Sequence, residues 1–133
     1  MDLNWVAIVV AAVAVFFVST GYYIVFGGEL AAARAGTTAE GRGDSRPAPW
    51  QIGTELVRSL VLAAVVAWLS AGLGITDVVS ALGLGLALWV AFPVVLWTGA
   101  ILWEGTSPRL AAVHAGDWLL KLVVIAIVVG LWW

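Results

Sequence analysis

Apolar positions along this chain run in four long blocks, at about 5–26, 53–73, 78–103 and 111–133, with polar residues gathered at the joins. Each block approaches or exceeds the roughly 20 apolar residues that a helix needs to cross about 30 Å of hydrocarbon. The pattern predicts four membrane-spanning helices. The first two are separated by GGELAAARAGTTAEGRGDSRPAPW, the only long hydrophilic stretch. Its GRGDSRPAP portion, rich in glycine, proline and charge, reads as a flexible loop. Glu29–Arg34 would extend the first helix into water, and the Arg42-Gly43-Asp44 triplet is too short a motif to carry an adhesion function. The other links, GIT before Asp77 and EGTSPR at 104–109, are short. Short links make neighbouring helices antiparallel, so an up-down-up-down bundle is expected. The first block lacks a basic leader and a small-residue cleavage site, and is expected to be a retained helix rather than a signal peptide.

Composition narrows the class further. The 133 residues are 63% hydrophobic and 11% charged, against about 45–50% and about 25% in soluble domains. An all-α integral membrane four-helix bundle is therefore expected, forming one domain over 1–133, with the bilayer as its main partner. There is no cysteine, which excludes disulfides and thiolate metal sites. A net charge of −2 without a basic tail argues against nucleic acid as a partner.

The basic residues set an expected orientation. Arg34, Arg42, Arg46, Arg58, Arg109 and Lys121 all fall on the side of the 28–50 loop and the EGTSPR turn, while the other side carries only Asp2 and Asp77. The positive-inside rule puts that loop in the cytoplasm and both termini on the non-cytoplasmic side. Trp5, Trp132 and Trp133 then mark the outer interface, and Trp50 and Trp103 the inner one.

Within this frame the octapeptide HAGDWLLK, 114–121, stands out. His114, Asp117 and Lys121 follow i, i+3, i+7 spacing and form one stripe of the fourth helix. Lys121 lies about 10 Å deeper than His114 at 1.5 Å per residue. A carboxylate in hydrocarbon costs about 2.5–3.5 kcal/mol on insertion scales, and intramembrane ionisable groups are functional candidates by default. Lys121, His114 and Arg58 are the candidate partners of Asp117. Other polar groups reach the same depth: STGYY at 19–23, Glu55, Arg58 and Ser59 at the start of span two, and Trp97, Thr98, Trp103 and Glu104 at the end of span three. The opposite half of the bundle is aliphatic or small. Blander readings stand beside each: Glu55 and Arg58 as a solvated helix start, Glu104 as a turn residue, Tyr22 and Tyr23 as interfacial aromatics, and His114 as a satisfied bundle histidine. One histidine with scattered carboxylates makes no metal ligand set, and no nucleotide, phosphate-loop or triad motif implies a cofactor. The glycines of AGLGITDVVSALGLGLAL, among them Gly83 and Gly85, point to close helix packing.

Several motifs resemble a known group. They are G-Y-Y-x-x-F-G (Gly21 to Gly27), G-L-G-L-A-L-W-V-A-F (Gly83 to Phe92), W-E-G-x-x-P (Trp103 to Pro108) and the pair Ala115-Gly116. The chain resembles, nearly end to end, small bacterial four-helix membrane proteins catalogued as domain of unknown function 1761. That resemblance implies a fold and a bacterial cytoplasmic membrane, but no activity. Such proteins tend to have asparagine in place of His114 and an aromatic in place of Asp117, which makes these two groups additions to the scaffold.

Three functions remain open on the sequence. One is an acid–base isomerase or cyclase of a lipophilic substrate. Its catalytic groups would be Asp117, His114 and Glu104, and its pocket would be lined by Tyr22, Tyr23, Glu55, Arg58, Trp97, Trp103, Trp118 and Lys121. The second is a proton-coupled transporter or channel subunit, which with four helices requires a homo-oligomer. The third is an accessory subunit whose charges only pair.

Overall fold

A computed structural model describes residues 3–27 and 48–132. Expectations for the 28–50 loop, the Glu29–Arg34 helix extension and the Arg42-Gly43-Asp44 triplet concern residues outside the described ones, apart from 48–50. The described residues form four helices long and apolar enough to cross a membrane: α1 (Trp5–Val25), α2 (Pro49–Leu73), α3 (Val78–Glu104) and α4 (Pro108–Leu131). Spans two and four begin at Pro49 and Pro108, earlier than the apolar onset implied. Proline at a helix start lacks an N–H that would be unsatisfied there in any case, and its fixed φ suits the first turn. Asn4, Asp77 and Ser107 cap α1, α3 and α4 by accepting from backbone N–H groups. Gly74 and Gly105 end α2 and α3 with φ of 69° and 70°, a left-handed conformation that glycine adopts without a Cβ clash.

Contacts along the helices fix their directions. Asn4 Nδ2 donates to Trp132 O at 3.1 Å, and Ser19 meets Asp117, so α1 runs antiparallel to α4. Glu55 meets Lys121 while Ser70 lies beside Gly130, so α2 runs parallel to α4. Gly85 abuts Leu122 and Trp89 reaches Ala115, so α3 is antiparallel to α4.

Inner faces are distinguished by size rather than polarity. α1 buries Ala7, Ile8, Ala11, Ala12 and Val15, and α2 buries Ser59, Ala63, Val66, Ala67 and Ser70. Phe17, Ile24, Trp68, Phe92 and Leu96 face outward. Hydrocarbon outside the bundle is as apolar as its core, so association in lipid draws on close van der Waals packing, which small residues permit. Gly85 shows the effect: a Cβ there would stand 3.2 Å from Leu122 O and 3.3 Å from Val123 Cα. Gly83, by contrast, has open space beside it, so only one of the two glycines serves helix packing.

α3 is interrupted. Between Val78–Trp89 and Val95–Glu104, residues Val90–Val94 form a π-type turn that contains the buried Pro93. Proline cannot donate to the preceding turn, and a widened turn is one way for a helix to continue past it.

Candidate acid–base site

The α4 stripe faces the bundle interior. Asp117 is 2% exposed and Lys121 7%. Ser19 Oγ of α1 donates to Asp117 Oδ1 at 2.6 Å, and Lys121 Nζ stands 3.2 Å from Oδ2. Lys121 Nζ also donates to Glu55 Oε1 of α2 at 3.1 Å, while Glu55 Oε2 accepts from Arg58 Nη1 at 2.6 Å. The result is a chain of alternating charge, Asp117–Lys121–Glu55–Arg58. It starts in the interior and ends at an Arg58 side chain that is 57% exposed. Each buried charge has a partner of opposite sign, which offsets the desolvation that a lone charge would suffer. Lys121 Nζ lies 5.0 Å from the Trp118 ring centroid, adding a cation–π contact.

A second group lies along the same end of α4. Tyr23 Oη and His114 Nδ1 share a hydrogen bond of 2.7 Å, and the Trp97 ring stacks on His114 with centroids 5.0 Å apart and planes 12° from parallel. Tyr22 Oη donates to Val113 O at 2.6 Å. Gly116 makes room for that hydroxyl, since a Cβ at 116 would fall inside the van der Waals envelope of Tyr22 Oη. Trp89 Nε1 donates to Ala115 O at 2.8 Å. Trp97 Nε1 is shielded and has no hydrogen-bond partner among the described residues.

The structure thus brings Asp117, His114, Lys121, Glu55, Arg58, Tyr22, Tyr23, Trp97 and Trp118 to one end of the bundle. It does not bring Trp103 or Glu104. Trp103 is 86% exposed, because it lies six residues past Trp97 and so about 240° around the helix. Glu104, the last residue of α3, is exposed at the turn that Gly105 completes. Arg58, a candidate partner of Asp117, bonds Glu55 instead and reaches Asp117 only through the chain. Ser19 and Trp89 are the contributors that site reasoning passed over. Ser19 was visible in STGYY, but a serine within an apolar helix gives no sign of its partner 98 residues away. Among the described residues, no three His, Asp or Glu side chains are grouped so as to hold a metal ion. Two open hollows lie elsewhere: a groove of about 430 Å³ by Val10, Ile127 and Trp132, and a notch of about 190 Å³ by Ser70, Gly74 and Ile75.

Four spanning helices around a buried carboxylate–ammonium pair define a small multi-pass membrane protein with an internal charge chain. The chain belongs to the family described as "Protein of unknown function (DUF1761)", whose model matches residues 6–130. No curated protein and no solved structure matches it.

Proposed function

We propose that this protein is a membrane-embedded acid–base enzyme of the bacterial inner membrane, an isomerase or cyclase of a lipophilic substrate, with Asp117 as the proton donor and acceptor. The carrying observation is the pairing of Asp117 and Lys121 inside the bundle, linked through Glu55 to the exposed Arg58. Apolar side chains would pack such an interior at less cost than a buried ion pair, so stability alone is a weak reason for one. Isomerisation needs only that a proton leave one carbon and arrive at another, so the reaction balances without a co-reactant. Asp117 would take and return it. Lys121 would pair with the carboxylate, and Ser19 would fix its orientation. Tyr23 and His114 form a second hydrogen-bonded pair at the same end of α4. With both termini outside, the charge chain opens to the cytoplasm.

A transport route finds less support. Beyond Lys121 the interior is lined by Ala63, Val66, Ala67, Ile125, Ala126 and Val129, all buried, with Ser70 the one buried polar side chain among the described residues toward that end. One observation favours an accessory role instead: both oxygens of Asp117 are already engaged.

Reconstitution in bacterial lipid extract made up in deuterated water separates the readings. Proton abstraction from carbon exchanges hydrogen for deuterium, which mass spectrometry detects in the lipophilic fraction. Wild type should label at least one species, and Asp117→Asn should label it about 10²–10⁴-fold more slowly per folded molecule. If no species gains deuterium above the Asp117→Asn control, the acid–base reading fails and the accessory one stands.

A further inference from the structure

The Asp117 charge chain and the Tyr23–His114 pair meet at one hydroxyl. Besides sharing a bond of 2.7 Å with His114 Nδ1, Tyr23 Oη hydrogen-bonds the Asp117 side chain. Asp117 is buried, whereas Tyr23 and His114 are both partly exposed, so the three lead from the outside of the bundle inward. His114 lies about 9 Å along α4 from its first residue, and Asp117 about 4.5 Å further, at 1.5 Å per residue. Trp97 stacks flat on the His114 ring and offers it an aromatic face, which favours a cation.

Among the described residues, three side chains bond Asp117, and they differ in what they can do with a proton. Lys121 is an ammonium without a lone pair, so it cannot take up a proton before giving one away. Giving one away would leave two carboxylates, Asp117 and Glu55, without the cation they share. Ser19 donates to Asp117 Oδ1 and leads on to no second titratable side chain among the described residues. Tyr23 has both an O–H to give and lone pairs to receive, and its other partner is an imidazole. Imidazole is the side chain that ordinarily changes charge near neutral pH. Tyr22 stands close by, but its hydroxyl donates to Val113 O.

We propose that His114 and Tyr23 relay protons to and from Asp117, with His114 as the point of entry. A proton arrives at His114 Nε2. The Nδ1 proton passes to the Tyr23 oxygen, while the Tyr23 proton passes to an Asp117 oxygen. His114 ends neutral, Tyr23 remains a neutral phenol and Asp117 ends as a carboxylic acid, so one proton has crossed and no other charge has changed. The reverse sequence releases it. Tyr23 and His114 are positioning residues in this scheme, because they act on a substrate only through Asp117. The charges facing the relay are Lys121 on α4 and Glu55 on α2, with Arg58 beyond Glu55, while α3 contributes the non-titrating Trp89 and Trp97. The relay deepens the acid–base reading and rests on it for its use: a carboxyl that is 2% exposed must otherwise exchange its proton with water unaided.

The test needs no substrate. The full chain in lipid nanodiscs is taken through a rapid drop in pH, and time-resolved infrared spectroscopy follows the carbonyl stretch of the Asp117 carboxylic acid, assigned by its loss in Asp117→Asn. Each variant's final amplitude normalises its own rate. The band should appear in wild type and rise about 10²-fold more slowly in Tyr23→Phe and in His114→Ala. Imidazole added to the medium should restore the rate in His114→Ala but not in Tyr23→Phe, a response that a merely structural histidine would not give. No band in wild type, an unchanged rate in either variant, or a slowed His114→Ala that imidazole does not restore, overturns the relay. Should Tyr23→Phe fail to fold, His114→Ala with and without imidazole decides alone. Deuterium labelling of lipid alongside unchanged rates would remove the relay and leave the acid–base reading, whereas relay kinetics without labelling would do the opposite.

Discussion

Asp117 and Lys121 form one pair but should respond unequally to substitution. Asp117→Asn keeps an oxygen for Ser19 and leaves Lys121 bonded to Glu55, so its effect on stability should be small. Lys121→Met strands a carboxylate that is 2% exposed with hydroxyl groups alone, those of Ser19 and Tyr23, and removing one partner of a buried pair costs about 3–5 kcal/mol. Unfolding titrations in mixed micelles should order the variants that way. Equal losses would mean that the Asp117–Lys121 pair is structural and that Glu55 does not hold Lys121 in its place. Gly85→Ala should cost about 1–3 kcal/mol, because its neighbours at 3.2–3.4 Å are the backbone of α4, which cannot rotate aside. At this scale the site was partly legible. HAGDWLLK carries its own spacing, but Ser19 enters only because α1 lies against α4. Trp103 and Glu104 share a sequence neighbourhood with Trp97 and still end up outside, one by helix phase and the other by its place at the turn.

Among the elements, α3 departs most from its sequence pattern. Its apolar run looks continuous, and Pro93 within it is absorbed by the π-type turn. Such a turn holds one residue more than an α-turn, which changes the phase of everything beyond it by about 100°. Pro93→Ala should let the α-helix close, rotate Trp97 away and abolish the ring-current shift that its indole imposes on the His114 protons. An unchanged shift would show that packing, not proline, sets the turn. The N-cap of α3 gives a pH-dependent test. Asp77 accepts from Ser80 N–H at 2.9 Å, and that bond holds its carboxyl below the ordinary aspartate range. A folded-state pKa that is lowered contributes stability above the unfolded value, and the contribution is lost as pH falls through the folded one. The stability gap between wild type and Asp77→Ala should therefore be full at neutral pH and narrow on acidification below the ordinary aspartate pKa. A gap that stays constant would assign the cap to hydrogen-bond geometry alone.

For the whole molecule, orientation is the open quantity that charge addresses. All six Lys and Arg residues fall in the sequence between the end of the first span and the middle of the fourth, and the positive-inside rule expects them toward the cytoplasmic face. Single cysteines replacing Ser45 and Thr76 should therefore label from opposite faces of intact cells, Thr76 from outside. Labelling of Ser45→Cys from outside would invert the molecule and open the charge chain to the exterior. The contact between Asn4 and Trp132 places the start of α1 and the end of α4 at the same end of the bundle, so the two should share a face in any such experiment.

The sequence alone determined that there are four membrane-length helices, where they begin to within a few residues, and that ionisable groups concentrate toward one end. Length and hydropathy suffice for that, because hydrocarbon thickness sets span length and charges are expelled from it. It did not determine which face of each helix turns inward. In water the apolar face is the inner one, but here every face is apolar, and the choice falls to side-chain size and fit. Ala11, Ala63, Gly85 and Ala126 could be assigned to the interior only once the helices were seen in contact. The same limit held for the site. Lys121 and Asp117 announce themselves on one helix, whereas the Glu55 and Ser19 that complete them come from two others, and only the packing of those helices brings them within 3.1 and 2.6 Å.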